Sequence, residues 1–183
     1  MGKNILVLGN PVLREQCKII SDFDSKAFLE EINELKIALD TFRENYGFGR
    51  GIAAIQIGIL KRIIALNLGH GTFVIVNPLI TRKSSETFTL WDDCMSFPDL
   101  VVRVKRYKTI NLEYQDEIGK KKEWNNLGEA ESELLQHEID HLDGVMAIDR
   151  AIGKKDILYK TEFNKNKEYY ESKVDYSIKT TVS

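Results

Sequence analysis

Two of the three histidines in this 183-residue chain stand four positions apart, in Gln136-His137-Glu138-Ile139-Asp140-His141. No other feature constrains the fold as much. In an α-helix, at about 100° per residue, the two imidazoles lie within about 40° of one face and one turn apart, so a helix allows both to grip one ion. The surrounding pattern agrees: Leu134, Leu135, Ile139 and Leu142 keep helical spacing from Glu129 to Leu142. Glu129, Glu131 and Glu133 crowd the start of that helix, where its dipole favours negative charge, and Asp143-Gly144 closes it. Glu138 then sits beside the ion, where a carboxylate can take a proton from water and return it to a leaving group. Two solvated or capping histidines are the plainer alternative. With 3 His in 183 residues the chance of an H-E-x-x-H match is only about 0.4%, so the pattern points to a metal-dependent hydrolase. Glu133, one turn before His137, can face the pocket, but a solvated helix charge is the favoured reading.

A second helix is predicted over residues 25–46, where Phe28, Ile32, Leu35, Leu39, Phe42 and Tyr46 recur at steps of three and four before Gly47. Between the helices, Arg62–Asn67, Phe73–Asn77, Val101–Arg106 and Ile110–Tyr114 are short β-branched runs bounded by turn residues. Their short connections predict antiparallel strands. The expectation is one α+β domain over 1–183, with antiparallel sheets packed around a central metal-binding helix, an N-terminal helix and a polar, helical C-terminal tail from about residue 154. At 43% hydrophobic and 30% charged residues the chain can bury a core, which excludes a disordered or fibrous class.

Net charge is −2 and no dense Lys/Arg cluster occurs, so DNA is not an expected partner. The longest apolar runs fall far short of the roughly 20 residues that span a bilayer, and the N-terminus lacks a secretory pattern. A cytoplasmic address without membrane attachment is expected. Two cysteines, Cys17 and Cys94, make a disulfide framework improbable. Cys94 in Trp91-Asp92-Asp93-Cys94-Met95-Ser96-Phe97-Pro98 is the candidate third ligand, because two His and one thiolate leave a position open to water. Taken alone, a lone cysteine is more often a small buried hydrophobe, and Cys17 keeps that reading. In Gly49-Arg50-Gly51-Ile52-Ala53-Ala54-Ile55-Gln56-Ile57-Gly58, the glycines admit close approach and Gln56 offers an amide N–H to an oxyanion. A turn followed by tight packing explains that segment equally well.

Together the three segments resemble the peptide deformylases, whose motifs run G-x-G-x-A-A-x-Q, E-G-C-L-S and Q-H-E-x-D-H. The first and third match in full, and the second appears as Asp92-Asp93-Cys94-Met95-Ser96. Asn10-Pro11-Val12-Leu13-Arg14 and Leu142-Asp143-Gly144-Val145 extend the likeness over about residues 3–150. The resemblance implies Cys94, His137 and His141 as ligands of one divalent ion, commonly Fe2+, with Zn2+ or Ni2+ as alternatives. Glu138 becomes the general acid/base, and Gln56 with the Met95 backbone N–H becomes the oxyanion donor pair. It further implies an N-formylmethionyl peptide substrate at the ribosome, added as a strand beside Arg50, Gly51 and Ile52, with its side chain in an apolar pocket. A monomer is expected.

Departures fall on the substrate side. Asp93 replaces the family's glycine and is expected to tune substrate choice if its carboxylate points into the cleft; an outward turn that caps a neighbouring turn is equally open. Asp92 shortens a glutamate that pairs with an arginine twelve residues beyond the cysteine, here Arg106. Ile55 stands for a frequent proline and Val101 for an arginine found in some members. These changes keep open a deformylase-like amidase acting on another formylated or acylated substrate. A non-catalytic metal- or peptide-binding descendant is disfavoured because every reacting group is present. A conventional zinc protease is disfavoured because no downstream ligand follows.

Overall fold

The computed structural model describes residues 3–178; the expectations for Met1, Gly2 and residues 179–183 of the tail lie outside the described residues. Along the chain come α1 (Lys26–Tyr46), β1 (Gly51–Ala53), β2 (Ile63–Asn67), β3 (Thr72–Lys83), β4 (Thr87–Asp93) and β5 (Leu100–Tyr107). Then follow β6 (Ile110–Gln115), β7 (Lys121–Leu127), α2 (Glu129–Leu142), β8 (Ile157–Tyr159), α3 (Lys160–Lys165) and α4 (Lys167–Glu171). The strands form a sheet ordered β1-β2-β3-β6-β7 and a smaller one ordered β4-β5-β8, and every pairing is antiparallel.

The layering follows from the apolar patterns. The buried stripe of α1, Phe28, Ile32, Leu35, Leu39 and Phe42, packs with Ile63 and Ala65 of β2 on one face of the large sheet. Ile64 and Leu66, pointing the other way, pack with Leu134, Leu135, Ile139 and Leu142 of α2. Covered on both faces, β2 reads as a continuous apolar run rather than an alternating one. On its other side α2 meets β5 of the small sheet. Every residue from Ser132 to Ile139 is buried, because this helix has sheets on both sides.

The α+β architecture and both long helices stand where the sequence places them. Differences concern the strands and the tail. The strand expected over Phe73–Asn77 continues as β3 through Pro78 to Lys83. Asn77 adopts φ 51 and the pairing with β6 shifts register between Val76 and Leu79, a bulge at which Pro78 needs no ladder N–H. β1 is too short to show a period. β7, with its polar KKEWNNL sequence and largely exposed edge, lacks the apolar signal of a strand. The tail is helical in α3 and α4, but it opens with β8, which adds to the edge of β5 through Leu100–Tyr159 and Val102–Ile157 pairing.

Candidate metal centre

Strand alternation decides what β4 delivers to the centre of the molecule. Phe88, Leu90 and Asp92 point inward and are buried, whereas Thr89, Trp91 and Asp93 lie on the opposite side. Cys94 follows directly after the strand and is also buried. From α2, His137 and His141 project from successive turns toward the same point. The Cys94 sulfur lies 3.2 Å from His141 Nε2, and the two Nε2 atoms are 3.1 Å apart. All three donor atoms lie within 4.8 Å of one another. Tetrahedral bonds of about 2.0–2.3 Å to nitrogen and sulfur require donor separations of roughly 3.3–3.6 Å, so the trio can close on one divalent ion by moving the Cys94–His137 separation, within 4.8 Å, toward that range.

The neighbouring groups orient these donors. His137 Nδ1 donates to Asp92 Oδ2 at 2.9 Å, so Nε2 is the ring nitrogen that faces the trio. Burial works against charge on His137, yet Asp92 and the Cys94 sulfur raise its pKa well above the ordinary value. Burial and the adjacent His137 push His141 well below it. Burial raises the Cys94 thiol; a bound cation reverses this and holds a thiolate. Asp92 is held at about 2, because His137 and Arg106 together outweigh its burial. Arg106 donates to Asp92 at 3.2 Å and to Asp140 at 2.5 Å, and Asp140 also accepts from Arg150 at 2.7 Å. The shortened Asp92 therefore still meets Arg106 and His137 together.

Glu138 is buried and Oε2 has no hydrogen-bond partner among the described residues. Burial, with Asp92 nearby, lifts its pKa to about 7 although His137 pulls the other way. Gly51 gives it room: a Cβ there would stand 3.0 Å from Glu138 Oε1 and 3.1 Å from its Cγ. Gly49 has φ +104, and a side chain on it would collide with the Met95 methyl. Gln56 is locked from one end, its Oε1 accepting the Ala53 N–H at 2.9 Å. Its Nε2 lies 3.1 Å from Ser96 Oγ and 3.6 Å from the Cys94 sulfur.

The cleft that opens over these groups is lined by Arg50, Gly51, Asp93, Glu133 and Leu134 as well as by Cys94 and His137. Two expectations need correction. Glu133 is not a solvated helix charge: it is buried and paired with Arg50, whose other arm donates to the Ala130 carbonyl at 2.9 Å. The pocket beside the metal helix is therefore not purely apolar, since one wall is this ion pair. Burial lifts Glu133 to about 7 against the pull of Arg50. Asp93 neither points freely into the cleft nor caps its own turn. Its carboxylate accepts from Lys160 Nζ of α3 at 3.0 Å. Ile52 is fully buried against the α1 face and is not among the residues that line the cleft. Glu133, Lys160 and the tail residue Ile178 are site neighbours that the motifs do not mark. The i, i+4 spacing of Glu133 and His137 was the one available signal.

A helix carrying H-E-x-x-H between two antiparallel sheets, facing a cysteine loop, defines an α+β metallohydrolase. Residues 2–156 match the Polypeptide deformylase family, and the chain belongs to it. A peptide deformylase of Thermotoga maritima is 36% identical over 156 residues, covering 84% of this chain and 90% of that protein. One from Prochlorococcus marinus is 32% identical over 167 residues, covering 88% and 77%. The crystal structure of the Thermotoga maritima peptide deformylase superposes with a TM-score of 0.76 at 33% identity, covering 84% of this chain and 99% of that one. A Plasmodium falciparum peptide deformylase in complex with an inhibitor superposes at 0.73 with 27% identity, covering 92% and 99%.

Proposed function

We propose that this chain, acting as a single catalytic domain in the cytoplasm, removes the formyl group from the N-terminal methionine of newly made polypeptides with one divalent ion, Fe2+, held by Cys94, His137 and His141. The observation that carries this reading is the convergence of those three donors with Glu138 and Gln56, in a chain that belongs to the deformylase family. When bound, the ion supplies Lewis-acid polarisation of the formyl carbonyl and lowers the pKa of water.

The protein groups do the remainder. Glu138, poised near neutrality by burial, takes the proton of the attacking water and delivers it to the departing amine. Gln56 Nε2 and the Met95 backbone N–H donate to the carbonyl oxygen as its charge grows. Asp92 keeps His137 in the tautomer that presents Nε2. β1 is the outermost strand of its sheet, so the main chain of Arg50, Gly51 and Ile52 offers a free edge to an extended peptide. No helix among the described residues is long and apolar enough to cross a membrane. On this reading the substrate is met at the ribosome by a monomeric enzyme.

Anaerobic purification, elemental analysis and an assay of formyl-Met-Ala-Ser on the same sample test the proposal. One iron per chain with rapid turnover that decays in air, and nickel substitution that outlasts it, is the expected result. Turnover that does not track metal content would overturn it. The Arg50–Glu133 wall favours a second reading, hydrolysis of another formylated or acylated amide at the same centre. A panel of formyl-Met peptides against other formyl amides separates the two.

A further inference from the structure

Beyond Cys94 and His137, the cleft is also lined by Glu133 and Leu134 of α2 and by Ile178. Ile178 belongs to the C-terminal segment, which lies outside the residues matched by the family. That segment is fastened to the outward side of β4. The N–H groups of Asp175 and Tyr176 both donate to the Thr89 carbonyl, at 3.0 and 3.1 Å. The Asp175 carboxylate accepts in return from the Thr89 N–H at 2.9 Å and its hydroxyl at 2.8 Å. Trp91 Nε1 donates to the Tyr170 carbonyl at 2.8 Å, and Asp93 holds Lys160. Thus Thr89, Trp91 and Asp93, the three outward positions ahead of Cys94, each grip the tail. Tyr176 meets Phe88 edge-on at 5.4 Å, and with Ile178 it packs on the cluster that contains Cys94 and Phe97.

Geometry fixes what this wall faces. With the formyl carbon at the three donors, the first Cα of the substrate is only two bonds away, so its side chain must enter the space adjoining them. The inner side of that space carries the Arg50–Glu133 pair, whose side chains are 10% and 2% exposed. A pair already neutralised gives little to a thioether, so the apolar lining of Phe48, Met95, Leu134 and Ile178 receives it, and of these only Ile178 comes from the C-terminal segment. We propose that the C-terminal strap builds the outer wall of the pocket for the substrate's first side chain, with Ile178 as its specificity-determining residue. This rests on the deformylase reading of the cleft.

The test compares wild type with Ile178→Ala, Ile178→Trp and Asp175→Ala on formyl-Met-Ala-Ser, formyl-Phe-Ala-Ser and formyl-Ala-Ala-Ser, with metal content measured throughout. Ile178→Ala should lower kcat/KM for the methionine substrate on the order of 10-fold, through KM, while the phenylalanine substrate gains relative to it. Ile178→Trp should reverse that ratio and spare the alanine substrate. Asp175→Ala, which unfastens the strap without touching the pocket, should move selectivity in the direction of Ile178→Ala. A parallel change across the three substrates, or no change, at unchanged metal content overturns the role of the strap. Failure of wild type on every formyl peptide overturns the deformylase reading, and this inference with it.

Discussion

The two ends of the cleft are built on different terms. At the ion-binding end, Cys94, His137, His141, Glu138 and Gln56 all come from the three motifs, are buried, and are held by neighbours on rigid elements. At the other end stand Arg50, Glu133, Lys160 and Ile178, drawn from four separate stretches of chain. They are joined by one buried ion pair, a half-exposed one between Asp93 and Lys160, and a fastened tail. The contrast teaches that short motifs supply the converging donors, whereas the far wall of the cleft is held by long-range contacts that no motif contains.

The largest effects should fall at the ion-binding end. Cys94→Ala, His137→Ala or His141→Ala should each lose the ion and with it all turnover, since two protein donors are too few at a site open to water. Stoichiometric metal in purified Cys94→Ala would remove the cysteine from the ligand set. Glu138→Gln should keep full metal and lose about 10²–10⁴-fold in kcat, because an amide of the same shape cannot accept the proton. Turnover of that variant at the wild-type rate would sink the acid/base role.

Arg106 supports the ion-binding end, with its side chain 4% exposed and paired to both Asp92 and Asp140. Removing it strands a carboxylate that also orients His137, at a cost of about 3–5 kcal/mol. For a chain of this size the melting temperature should fall on the order of 10 °C. Metal affinity should weaken about 10–100-fold alongside it. A lower melting temperature with unchanged metal affinity would separate the ion pair from the centre.

The substrate end should answer more quietly. The Lys160–Asp93 pair has side chains 31% and 33% exposed, so Lys160→Ala should cost under about 1 kcal/mol of stability. It frees the Asp93 carboxylate, and kcat/KM for formyl-Met-Lys-Ser should rise several-fold relative to formyl-Met-Glu-Ser. Equal ratios in wild type and variant would show that Asp93 does not face the peptide. The smallest effect is a slope. Burial raises Glu133 in the folded chain to about 7, so the folded state holds a proton that the unfolded state has released. Stability therefore falls as pH rises from about 4.5 to about 7. Glu133→Gln should flatten that part of the melting-temperature profile, and an unaltered profile would place its proton elsewhere.

How much of this was legible follows from how local each signal is. The stripe of α1 and the histidine spacing of α2 are contacts within a few turns, so periodicity reveals them. β1 has three residues, too few for a period, and β7 is a polar edge whose partner supplies the pattern it lacks. Glu133 was misread because its partner, Arg50, is 83 positions away, and a glutamate near a helix start is ordinarily solvated. The same long-range pair puts a charged wall beside the apolar lining of the pocket.

By itself the sequence determined the two long helices, the α+β class, the donor set and the family, because each rests on neighbours in the chain or on a motif read in order. Only the tertiary structure decided that Asp92 turns inward to His137 while Asp93 turns outward to Lys160. It alone decided that Arg50 neutralises Glu133 in the pocket wall and that the tail returns to β4. These depend on strand register and on contacts between distant segments, and a burial that reverses the usual meaning of a charge exists only once the layers have closed around it.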